Sequence, residues 1–138
     1  MADRVMKVDY CYMVVPHRAG AGERILGQLR ESGANLLMFS GFPIGGGKAQ
    51  LDFVPQDMSA FRKVARKQGW RVSKAKKGFL VSGSDRLGAA HRHIRKLADA
   101  KVNITAVDAV AAGTGRYGMI LWVKPAQYRR AASALGAR

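Results

Sequence analysis

Between residues 6 and 15, apolar side chains occupy both phases of a period-two alternation. Val8, Tyr10, Tyr12 and Val14 hold one phase, and Cys11, Met13 and Val15 hold the other. Such a run reads as a β-strand with something to cover on each face, ended by Pro16. From Ala21 to Ser32 the spacing becomes helical: Ile25, Leu26 and Leu29 form one stripe with charges opposite, and Gly33 follows as a helix-ending glycine. Leu36 to Phe42 and Gln50 to Val54 read as second and third strands. Pro55 and Asp57 introduce a helix over Met58 to Gln68, closed by Gly69, and Trp70 to Ala75 can form a fourth strand. The order is β-α-β-β-α-β, the split βαβ or ferredoxin-like arrangement.

The pattern then repeats. Arg18, Gly20, Leu29 and Asn35 correspond to Arg86, Gly88, Leu97 and Asn103 at a constant offset of 68 residues. Gly45, Gly47 and Lys48 correspond likewise to Gly113, Gly115 and Arg116, and the Phe61–Gly69 helix to Tyr128–Gly136 at an offset of 67. In the second copy, strands are expected at 79–83, 103–110 and 117–123 and helices at 88–100 and 126–135. The expected fold is α+β: two ferredoxin-like units in tandem, 6–77 and 78–138, with antiparallel sheets and helices on one face. No residues remain for a fourth strand in the second unit. Its sheet is therefore expected to present an edge that a partner chain or the first unit's sheet covers.

Repetition also decides what the glycine run is. Gly45-Gly46-Gly47-Lys48 suggests a phosphate loop, but counting from Gly41 the required lysine position is Gly47, and Ala49 stands where a hydroxyl would hold a metal. A strand rather than a helix follows it. Both copies read better as hairpin turns that need positive φ.

The chain has 138 residues and a formal net charge of +15. Residues 1–69 carry 10 basic against 6 acidic side chains, and residues 70–138 carry 14 against 3. Arg62, Lys63, Arg66, Lys67, Arg71, Lys74, Lys76 and Lys77 form a basic run without an acid. Such a surface attracts anions, nucleic acid among them, or simply stays solvated. No apolar run is long enough to span a bilayer, Cys11 is the only cysteine, and the mixed charges of residues 1–9 lead to the expectation of no secretory signal. A reducing, cytoplasmic setting is expected.

Candidate chemistry concentrates where the copies agree. Pro16-His17-Arg18-Ala19-Gly20 and Ser84-Asp85-Arg86-Leu87-Gly88 join strand one to helix one, and Asn35-Leu36 and Asn103-Ile104 start strand two. In these motifs, over residues 6–136, the chain resembles tandem ACT domains, the small ligand-sensing modules of amino-acid metabolism. His17 stands where that family usually has an acid. The resemblance implies a regulatory, non-catalytic protein that binds a small ligand, commonly an amino acid, between units. The ligand contacts it implies are Pro16, His17, Arg18, Gly20, Asn35, Leu36, Asp85, Arg86, Gly88, Asn103 and Ile104. Physically, a helix opened by Gly20 or Gly88 offers bare N–H groups to a carboxylate, Asn offers a donor and an acceptor, and Asp85 suits an ammonium. The same asparagines equally serve as turn residues, the glycines as turn formers and Asp85 as a helix-entry residue.

Other chemistry finds little support. His91 and His93 stand two apart on a helix and point in different directions, with no cysteine or carboxylate at ligand spacing, so no metal or cofactor is expected. Cys11 sits mid-strand as packing, and no serine has a nucleophile-elbow setting. RNA-recognition domains share the element order, and Arg116-Tyr117-Gly118 faintly resembles their signature in broken order. Apolar residues on both faces of 117–123 favour a covered sheet, and with it a homodimer.

Overall fold

The computed structural model describes residues 3–138. Ten elements follow in order: β1 (Arg4–Pro16), α1 (Ala21–Glu31), β2 (Leu36–Gly45), β3 (Lys48–Pro55), α2 (Met58–Gln68), β4 (Lys76–Ser84), α3 (Ala89–Asp99), β5 (Ile104–Ala111), β6 (Arg116–Val123) and α4 (Pro125–Leu135). This is the expected α+β repeat. Two compact units divide it, an N-terminal unit of Asp9–Lys76 and a C-terminal unit that combines Lys77–Arg138 with the chain up to Val8.

In the N-terminal unit the strand order is β2-β3-β1. Both pairings are antiparallel, with Cys11 opposite Phe53, Pro16 opposite Lys48, and Phe39 opposite Phe53. Period-two alternation sends Cys11, Met13 and Val15 of β1 into one core, where they meet Ile25 and Leu29 of α1 and Phe61 and Val64 of α2. Phe53 lies between them, with ring centroids 5.1 Å from Phe61 and 5.5 Å from Phe39. Helix α2 starts where its cap dictates: Asp57 accepts hydrogen bonds from the N–H groups of Ser59 (2.9 Å) and Ala60 (3.3 Å). It ends at Gly69, whose φ of 71° closes the last turn.

The second strand outruns its expected end at Phe42. Pro43 is accommodated because β2 is an edge strand, and the register shifts between Pro43 and Gly45. The expected fourth strand, 70–75, is not a strand. It follows β1 at one point: Ser73 N–H donates to the Tyr12 carbonyl (2.9 Å), but the Tyr12 N–H returns its bond to Ser73 Oγ (2.9 Å) rather than to a backbone carbonyl. A side chain thus takes one ladder position.

In the C-terminal unit β4 pairs with β6, and β6 with β5, again antiparallel. Phe79, Val81, Leu97, Met119, Leu121 and Leu135 form its core. Truncating one of these fully buried side chains to alanine costs about 2–5 kcal/mol. The fourth-strand position is not an open edge. The first half of β1 lies beside β4 in the strand order, Val5 belongs to this core, and Val5 and Lys7 exchange backbone hydrogen bonds with Arg138 (3.1 and 2.8 Å). One long strand therefore serves two units, its beginning in one and its end in the other.

Candidate functional site

Each β-to-α turn is pinned to the glycine hairpin of its own unit. His17 N–H donates to the Gly47 carbonyl (2.8 Å), and Asp85 N–H donates to the Gly115 carbonyl (2.9 Å). The hairpins are built alike: Gly45, Gly46 and Gly47 have φ of 88°, 63° and 71°, and Gly113, Thr114 and Gly115 have 96°, 61° and 72°. They are turns, as the repeat indicates. Gly20 (φ 91°) and Gly88 (φ 76°) open α1 and α3 in the left-handed conformation, and neither helix start has a side-chain cap. Pro16, His17, Arg18 and Gly20 are exposed, as are Asp85, Arg86 and Gly88.

The start of strand two lies elsewhere. Leu36 is opposite Pro55 while Gly45 is opposite Lys48, so the strand start and the β-to-α turn stand at opposite ends of β3. Seven residue steps along β3 separate them, roughly 23 Å. Ile104, opposite Val123, is likewise remote from the Ser84–Arg116 end. Within one unit the expected contact residues therefore fall into two groups that no single small ligand touches. Asn35 also has local work: its Nδ2 donates to Gln56 Oε1 (3.0 Å), and its carbonyl accepts from Gln56 N–H (3.0 Å). Asn103 N–H donates to Gln127 Oε1 (3.1 Å). Leu36 and Ile104 pack on the margins of their cores.

A groove of about 720 Å³ opens in the N-terminal unit at the turn end. The exposed margin of β1 from Tyr12 to Pro16 forms one wall, residues 71–73 the other, and Gly46, Gly47 and Lys48 the end. It opens beside the Ser73–Tyr12 contact, on the side lined by Arg71 and Val72. Since both the N–H and the carbonyl of Tyr12 face this segment, strand alternation turns the same groups of Val14 toward the groove. Lys48 and Arg71 bring two cations, and Val14 and Val72 apolar surface. Of the residues expected from sequence, only Pro16 lines it. Lys48 was marked by its repeat partner Arg116; Arg71 was hidden within the basic run.

Sequence reasoning also missed a buried cluster in the C-terminal unit. Asp3 Oδ2 accepts from His93 Nε2, Tyr117 OH and Arg92 Nη2, each at 2.7 Å. Asp3 and His93 are each 3% exposed. Burial alone would raise the Asp3 carboxyl, but the three donors outweigh it and hold its pKa well below the usual carboxylate range. Burial and the bond to Asp3 push Tyr117 up to about 12. His91 is exposed and His93 buried, the divergence their spacing predicts. Cys11 is fully buried, which raises its thiol to about 11.

No model of a protein family and no curated protein matches the chain. Solved structures do. Protein BT0572 from Bacteroides thetaiotaomicron superposes with a TM-score of 0.81 at 14% identity, covering 96% of this chain and 88% of that one. The ligand-free regulatory subunit of aspartate kinase from Thermus thermophilus gives 0.60 at 16% identity, covering 98% and 93%. The corresponding subunit from Thermus flavus gives 0.59 at 20%, covering 98% and 94%. In fold, and over almost its entire length, the chain is similar to the tandem ACT-containing regulatory domains of aspartate kinase.

Proposed function

We propose that the protein is a non-catalytic regulatory module that binds a small ligand bearing a carboxylate, an amino acid foremost, at the turn end of its N-terminal unit. The observation that carries this reading is the groove beside Pro16. Its volume suits a small metabolite, Lys48 and Arg71 stand ready for a carboxylate, and Val14 and Val72 offer surface to an apolar side chain. The Gly20 helix start, exposed at the same strand end, adds uncapped N–H groups and a favourable dipole. The fold likeness to regulatory subunits of aspartate kinase is consistent with this role. Asn35, Leu36, Asn103 and Ile104 join a ligand only when they come from another copy of the fold than the one lending its turn.

A thermal-shift screen of the amino acids and related carboxylates tests the reading. One or a few should raise the melting temperature, and Lys48→Ala with Arg71→Ala should weaken that ligand at least tenfold. A flat response to the whole set would sink it. Nucleic-acid binding by base stacking on central strands is disfavoured, because β3 and β6 are buried on both faces from Leu51 to Val54 and from Met119 to Val123. Binding to RNA with a steep salt dependence would reverse that judgement.

A further inference from the structure

The Asp3 cluster is constructed like a ligand site. A lone carboxylate oxygen collects three donors from two elements of the C-terminal unit: Arg92 and His93 on α3, and Tyr117 on β6. The cradle around it is shaped for a carboxylate. Gly83 lies under the group, and a Cβ there would overlap Asp3. His93 and Tyr117 are 3% and 7% exposed, so their polar atoms are buried groups in need of an acceptor. Arg92 is 45% exposed and keeps one side of the site near solvent.

The acceptor uses only one of its two oxygens. Asp3 Oδ1 and His93 Nδ1 have no hydrogen-bond partner. Asp3 immediately precedes β1, so it reaches the site on the end of a strand rather than from within the framework that supplies the donors. By the 68-residue offset Gly83 corresponds to Val15, which lines the groove of the N-terminal unit. Where the N-terminal copy carries a buried valine side chain, the C-terminal copy has none, and the Asp3 carboxylate lies there instead.

We infer that Arg92, His93, Tyr117 and Gly83 form a carboxylate-binding site that Asp3 occupies as an internal ligand, and that a small carboxylate takes its place when residue 3 withdraws. The site lies inside the C-terminal unit.

Chemical rescue provides the test. Asp3→Ala empties the site without touching its donors. Formate or acetate should then raise the melting temperature, by about 5 °C at a tenfold excess over Kd, while chloride at equal ionic strength should not. The wild-type protein should lack this selective response, and Asp3→Ala combined with Arg92→Gln should weaken formate at least tenfold. Equal effects of formate and chloride, or a wild-type response as large as that of the variant, would overturn the inference. Should Asp3→Ala fail to fold alone, refolding asks the same question. Recovery of soluble protein in formate but not in chloride supports the site, and failure in both refutes it. Because formate probes only the C-terminal unit, these outcomes are separate from any result of the amino-acid screen.

Discussion

A methyl group added at Gly83 would overlap the Asp3 carboxylate. Gly83→Ala is therefore expected to lower stability by about 1–3 kcal/mol in denaturant melts. In an Asp3→Ala background the same change should cost much less, and strict additivity of the two substitutions would contradict the contact. Asp3 also sets an acid dependence. Its folded pKa is depressed, so its stabilisation is fully present above the unfolded value, roughly 3.9, and is lost as pH falls toward the folded value. Asp3→Asn should therefore flatten the stability profile below about pH 4; an unchanged acid limb would argue against the ion pair with Arg92. Little of this was legible in the sequence. Asp3 meets His93 and Tyr117 across separations of 90 and 114 residues, and no spacing rule joins residues so far apart. Gly20, Gly88 and the Asp57 cap were legible because each acts on its own neighbours.

At the scale of elements, the two hairpins form a natural experiment. Thr114 holds in one copy the left-handed position that Gly46 holds in the other, at φ 61° and 63°. A non-glycine residue is therefore compatible with that middle position. Gly46→Asn is expected to change stability by less than about 0.5 kcal/mol, whereas Gly45→Val, at φ 88° with a β-branched side chain, should cost about 1–2 kcal/mol. Thermal melts distinguish these, and equal losses at both positions would contradict the comparison. Alternation and caps carried nearly every strand and helix. The exception, 70–75, shows what they omit: whether the Tyr12 N–H meets a backbone carbonyl or Ser73 Oγ depends on the path of the partner segment. The groove lies between β1 and residues 71–73 of this segment, so the candidate site rests on the same path that the sequence pattern does not give.

For the whole molecule, the exposed apolar residues are unevenly placed. Leu37, Phe39, Phe42 and Ile44 all lie on β2 and are 41–47% exposed, and Val107 and Val110 lie on β5. Both strands are sheet edges, where unpaired backbone groups invite another strand. We expect a homodimer through such an edge, with Ile44→Lys shifting it to monomer in light scattering; a wild-type monomer at high concentration would exclude it. The net charge of +15 on each copy opposes association, so the dimer is expected to tighten as salt screens that repulsion. The divided service of β1 has another consequence, for the order in which the chain could be rewired. Cutting between Lys76 and Lys77 separates the copies in sequence but takes from the second the strand that Val5 and Lys7 provide. Joining Arg138 to the start of the chain through a short linker and opening it at that same bond would make each unit continuous. Such a circular permutant should fold, and cleavage at its 8/9 junction should release two halves that each melt cooperatively, which no single cut in the natural order achieves.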